Sequence, residues 1–183
     1  MKKSIGKENI KELAAHVCGG LNKEGIDAVL VGGACVSIYT QNEYESSDLD
    51  FVAEAELKKM DAALAGMGFS RPKGERHYKR PGGYYFIEFV AAPVAVGREI
   101  VKSLKKLKTR FGVIKMLSPT DSVKDRLAAF FHWNDHQSLE QAIMITKKNR
   151  VDLKEIGAWA KREGKSGELK IFFDKSKRAK ARA

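Results

Sequence analysis

A short apolar run, Asp27 to Val31, closes on the pair Gly32-Gly33, and fourteen residues later the chain reads Asp48-Leu49-Asp50. No other feature constrains the fold as strongly. The stretch DAVLVGG has the valine content and length of a buried strand that turns sharply at its end. The stretch ESSDLDFV alternates, so as a strand over residues 48–53 it puts Asp48 and Asp50 on one face and Leu49 and Phe51 on the other. Two carboxylates held that close repel each other and call for a counterion. Mg²⁺ is commonly held by one or two carboxylates together with substrate phosphates, so the pair reads as half of a phosphoryl-transfer site.

The glycines extend this reading. A strand that ends in Gly-Gly and opens a helix lets backbone N–H groups approach a phosphate without hindrance from a Cβ, and the helix dipole adds to the attraction. No Lys-Ser/Thr follows Gly33, which excludes a P-loop, and GxGxxG is absent, which argues against a dinucleotide site. Glu88 supplies a further acid. It interrupts the otherwise apolar run YYFIEFV, where a carboxylate needs a cation, an arginine or a proton. Either its strand lies beside Asp48 and Asp50 and the three acids converge on metal, or Glu88 pairs with Arg76 or Lys79 across a hairpin.

Around this centre the periodicity predicts a helix over residues 8–24, with Ile10, Leu13, Ala14, Val17 and Leu21 inward, and another over 55–66. The runs HYKR and YYFIEFV, separated by Pro81-Gly82-Gly83, read as a hairpin. A basic helical piece is expected over 98–108, then a strand at FGVIKML. Ser118-Pro119-Thr120-Asp121 is a strong helix start, and Val123, Leu127, Phe130 and Phe131 follow on one face. Helices over 136–148 and 152–163 complete a helical back third. DKSKRAKARA, with five basic residues and almost no apolar surface, reads as a disordered tail.

Several side chains carry two readings. Lys124 and Arg126, near the start of the back-half helix, either contact nucleotide phosphates or serve as ion-pair partners. His132 and His136 have zinc-helix spacing, but Trp133 stands where the metal motif needs glutamate, so helix packing is expected instead. Lys102, Lys105, Lys106, Lys108 and Arg110 form a basic run suited to an RNA backbone or simply to solvent. Cys18 and Cys35 lack metal-ligand spacing and read as core residues in a reducing cytoplasm.

The residues VLVGGACVSIY, SSDLDFV and IEFV, taken together, resemble the DNA polymerase beta-type nucleotidyltransferase superfamily over about residues 26–90. Small bacterial stand-alone members, including abortive-infection transferase toxins, are the most similar in layout. The resemblance implies an α+β fold with a small mixed sheet flanked by helices and a C-terminal helical region. It implies a nucleotidyltransferase core over 1–116, helices over 117–173 and the tail over 174–183. It further implies that two Mg²⁺ ions are bound by Asp48, Asp50 and Glu88, and that an NTP is the co-substrate. Gly32 and Gly33 would cradle the triphosphate, with Ser47 adding a hydroxyl contact. Ala34 and Cys35 stand where many members carry a serine.

Charge points to the acceptor. Residues 1–90 carry 12 Lys/Arg against 13 Asp/Glu, whereas residues 91–183 carry 22 against 10. A near-neutral front half beside a strongly basic back half fits a catalytic module joined to a polyanion-binding surface. The expectation is transfer of a nucleoside monophosphate to a hydroxyl on RNA, with a partner protein in a toxin–antitoxin system as the alternative acceptor. A catalytically dead RNA- or protein-binding module is the other alternative. The sequence shows no membrane span and no secretory signal, so a cytoplasmic protein is expected.

Overall fold

The computed structural model describes residues 9–181. Its elements run α1 (Ile10–Lys23), β1 (Ala28–Val31), α2 (Gly32–Thr40), β2 (Asp48–Ala53), α3 (Leu57–Gly66), β3 (Phe86–Val90), β4 (Ala95–Val96), β5 (Glu99–Ile100), β6 (Lys105–Thr109) and β7 (Gly112–Met116). Four helices follow: α4 (Pro119–Trp133), α5 (His136–Lys148), α6 (Leu153–Arg162) and α7 (Ser166–Ala181). This is an α+β fold, a mixed sheet with helices and a helical C-terminal region.

The five-stranded sheet has the order β3-β2-β1-β7-β6. β1 is antiparallel to β2 and parallel to β7, β2 is parallel to β3, and β6 is antiparallel to β7. The register assigns faces. Leu49 opposes Ile87, Phe51 opposes Leu30, and Leu30 opposes Met116, so these residues share one face, and all are fully buried. Each such side chain stabilises the fold by about 1.5–3 kcal/mol relative to exposure. Asp48, Asp50 and Glu88 lie on the opposite face by strand alternation.

The helices begin where the sequence says they should. Asn9 caps α1 by accepting the Glu12 N–H at 2.9 Å, and all five expected apolar positions of that helix are buried. The Ser118 hydroxyl accepts the Asp121 N–H at 3.1 Å to start α4, with Pro119 in its first turn. Asn134 takes a left-handed conformation (φ 55°) and ends α4, and Asp135 caps α5 through the Ser138 N–H at 3.1 Å. Trp159 is fully buried and stacks on Phe131 at 5.6 Å, which fastens α6 to α4. The Tyr39 hydroxyl donates to the Leu117 carbonyl at 2.6 Å and ties α2 to the segment leading into α4.

Three expectations are corrected. The stretch 98–108 is not helical; it supplies β5 and the edge strand β6, because Lys105–Thr109 has only Leu107 as an apolar anchor and takes its order from the β7 ladder. The hairpin between HYKR and YYFIEFV shrinks to the single bridge Tyr78–Ile87, since β3 gives its main ladder to β2. The tail is not disordered over 174–181. It continues α7, where Phe172 and Ser176 are buried and Lys175 pairs with Glu140 of α5 at 2.6 Å. Residues 182–183 lie outside the described residues.

Candidate active site on the sheet

Asp50 pairs in register with Glu88 on one side and with Val31, the last residue of β1, on the other. Asp48 sits one strand repeat away on the same face. Burial raises the pKa of Asp50 to about 6, and the charges of Asp48 and Glu88 push in the same direction, against the pull of Arg126.

Gly32 makes room for it. Its φ is +66°, and a Cβ at this position would stand 2.3 Å from Asp50 Oδ2. Gly33 is equally confined, since a Cβ there would lie 2.7 Å from the Ser46 hydroxyl. That hydroxyl donates to Asp48 Oδ1 at 2.7 Å, while the Ser46 N–H donates to Ser37 Oγ at 2.9 Å. Ser37 in turn donates to the Gly33 carbonyl at 3.3 Å. The first turn of α2 and the acid strand are thus locked to each other. No side chain caps that turn, because its N-cap residue is Val31. Its N–H groups and the positive end of the helix dipole remain for an anion.

The sequence candidates separate. The structure brings Gly32, Gly33, Asp48, Asp50, Glu88 and Arg126 together. Ser47 is exposed, and its carbonyl accepts the Phe86 N–H at 3.0 Å. Ser46 is the serine whose hydroxyl meets the acids. Alternation run back from the aspartates puts residues 46, 48 and 50 on one face, a signal in the sequence that points to Ser46 rather than Ser47.

Arg126 is mostly buried and binds Asp125 through Nε at 2.9 Å and a terminal nitrogen at 2.5 Å. Burial works against its charge, but Asp125 and Asp50 keep its pKa above the ordinary arginine value. Lys124 does not join the site. Two residues on a helix turn the chain by about 200°, and the Lys124 ammonium binds Glu155 at 2.8 Å and Asp121 at 3.5 Å.

Glu88 stands beside Asp50 in the sheet, but its carboxylate is engaged elsewhere. Its carboxylate meets Arg76 at 3.4 Å and His77 Nε2 at 3.1 Å, whereas Lys79 pairs with Glu75. Among the described residues no three His, Cys, Asp or Glu side chains form a metal cage. The donor set nevertheless fits a hard divalent cation taken by Asp48 and Asp50, with phosphate oxygens filling its shell. Two carboxylates on one face of β2, beside a helix turn without a side-chain cap, are the observation that supports the fit.

Elsewhere, His136 packs against Phe130 at 5.4 Å and His132 approaches Glu163 at 3.6 Å, on two helices rather than one. Trp133 is exposed and meets the His132 ring edge-on at 6.3 Å. Cys18 and Cys35 are buried and free. Burial pushes the Cys18 thiol up to about 11 and the Cys35 thiol higher, so both are protonated core residues. No helix among the described residues is long and apolar enough to cross a membrane.

No family model matches the sequence, and no curated protein does. Solved structures do match. An antigenic nucleotidyltransferase-like protein from Paracoccidioides brasiliensis superposes with a TM-score of 0.56 at 16% identity, covering 76% of each chain. The antibiotic-resistance factor ANT(2'')-Ia in solution gives 0.50 at 10% identity over 95% of this chain and 97% of its own. The same factor in complex with adenylyl-2''-tobramycin gives 0.53 at 8% identity over 81% of this chain and 92% of its own. At these identities the likeness is one of fold. The chain has a nucleotidyltransferase-like fold.

Proposed function

We propose that the protein is a Mg²⁺-dependent nucleotidyltransferase that moves a nucleoside monophosphate from an NTP to a hydroxyl on RNA. The observation that carries this is the pairing of Asp50 with Gly32. The carboxylate face of β2 and the uncapped first turn of α2 meet at a point where only a glycine fits. The Gly32-Gly33 N–H groups would bind the triphosphate, and Asp48 and Asp50 would hold Mg²⁺. The chemistry supplied by a metal held there would be neutralisation of phosphate charge and a lowered pKa of the acceptor hydroxyl.

Arg126 sets the field behind Asp50 while Asp125 fixes its orientation. Glu88, released from Arg76, takes the acceptor proton with His77 beside it. The acceptor oxygen forms its bond to the α-phosphorus as the bond to the β-phosphate oxygen breaks, and pyrophosphate leaves. RNA as acceptor rests on charge and register. Lys106 and Lys108 are exposed and share the sheet face of Asp50, three strand spacings away, or about 14 Å.

The experiment is incubation of the pure protein with each labelled NTP, Mg²⁺ and total tRNA, with Asp48→Asn and Asp50→Asn as controls. Label on RNA that both variants abolish is the expected result. Label on a co-purified protein or on an aminoglycoside would move the acceptor and keep the transferase. No transfer to any of them would leave a binding module.

A further inference from the structure

A cleft of about 1020 Å³ opens on the other side of α4 from the carboxylates, between the β4–β5 hairpin and helices α4 and α6. It is a built site. The turn of the hairpin is held by Glu163, whose buried carboxylate accepts the Arg98 N–H at 2.9 Å. Gly97 (φ +59°) is required there, because a Cβ would stand 2.7 Å from the Glu163 carboxylate.

The acids that line the cleft are already engaged. Glu99 binds Arg162; Glu155 accepts from Lys124 at 2.8 Å and from Arg162 at 3.2 Å; Asp121 accepts from Ser118 at 2.6 Å and meets Lys124 at 3.5 Å. Lys124 is itself more than nine-tenths buried. Among the charged groups, what remains are donors. Lys102 has no ion pair among the described residues, and Arg98 reaches Glu163 only at 3.9 Å while lying largely exposed. Trp159 lines the cleft, is fully buried, and its indole N–H has no partner. With its acids paired and Lys102 and Arg98 the less engaged charges, the cleft favours an anionic ligand.

The geometry points to a second binding site here, one for a phosphate group, with Arg98 and Lys102 supplying charge and Trp159 packed in its wall. Arginine's planar fork suits phosphate oxygens, and the cleft has room for the organic part of a phosphate ester as well. Val96 and Val101 give that part an apolar wall. The site does not depend on the proposed transfer reaction, since none of its residues belongs to the carboxylate ledge.

The chain has two tryptophans, and Trp133 is 78% exposed, so Trp133→Phe leaves Trp159 as the single emitter. This variant is titrated in EDTA with inorganic phosphate, with glucose 6-phosphate and with a short single-stranded RNA. A saturable change in emission is expected, at least tenfold weaker when Arg98→Ala and Lys102→Ala are added, and retained when Asp48→Asn and Asp50→Asn are added instead. Lys102→Glu alone, a change at one exposed position, is expected to weaken it in the same direction. Tighter binding of RNA than of the two small probes identifies a nucleic-acid phosphate as the source; tighter binding of the sugar phosphate identifies a small ester. A flat titration with all three probes overturns the site, as does an equal response after the Arg98 and Lys102 changes.

Discussion

Gly32 and Asp50 occupy one corner of the molecule and exclude any larger neighbour: a methyl group on Gly32 would stand 2.3 Å from Asp50 Oδ2. Gly32→Ala is therefore expected to cost about 2–4 kcal/mol, combining the left-handed backbone with overpacking. On an Asp50→Ala background the same change should cost only about 1–2 kcal/mol, the backbone part alone. Urea denaturation of the four proteins of this cycle measures the difference, and additive costs would contradict the contact.

Asp50 should make the metal-free protein less stable as pH rises. Its folded pKa, about 6, lies above the unfolded value, which is about 3.9. The neutral form is favoured by folding, so the stability tied to Asp50 is fully present below pH 4 and is lost through pH 6. In EDTA at pH 7.5, Asp50→Asn is expected to raise stability by about 1–3 kcal/mol, with little change at pH 3.5. Added Mg²⁺–NTP should raise the melting temperature of the wild type and not of the variant. A stabilisation by Asp50→Asn that is equal at both pH values would show that the ledge is not under charge stress.

Ser46 and its neighbour Ser47 give a sharp comparison. Ser46→Ala removes a 2.7 Å bond to Asp48, a charge-assisted contact worth about 1.5–3 kcal/mol. Transferase activity should fall about tenfold or more, while Ser47→Ala should leave it within about twofold. Steady-state kinetics with the labelled NTP that the protein uses decides this, and equal losses would restore Ser47 as the contact to phosphate.

Arg76 and Glu88 separate a working acid from a structural one. The pair is largely exposed on the arginine side, and surface pairs of this kind contribute about 0–1 kcal/mol. Arg76→Ala should leave stability within about 1 kcal/mol and should not lower kcat, since it frees the carboxylate. Glu88→Gln should lower kcat by about 100-fold or more. Retained turnover in Glu88→Gln would return this residue to an ion-pair role.

Local signals carried much of the fold. The run from Asp27 to Ala53 encodes strand, glycine corner, helix and alternating acid strand almost without outside help, and the residues 48–53 expected for the strand are those of β2. The cap at Ser118 fixed the start of α4 in the same way. Long-range pairing was not legible. Nothing in YYFIEFV says that it runs parallel to Asp48–Ala53 and not back along HYKR, because both partners offer an apolar strand. Glu88's choice of Arg76 and His77 follows from that pairing and was open to the same degree. Lys105–Thr109 was misread because its single apolar residue gives no period of its own, and the terminal helix because its order comes from contact with α5.

The lysines of β6 have a consequence for how copies of this chain treat one another. The strand ends the sheet, and Lys105, Lys106 and Lys108 are exposed along it. A bare backbone edge is a template onto which another strand can zip, and closely spaced ammonium groups oppose a like-charged neighbour there. The same side chains proposed to attract RNA thus keep this rim from seeding fibrils.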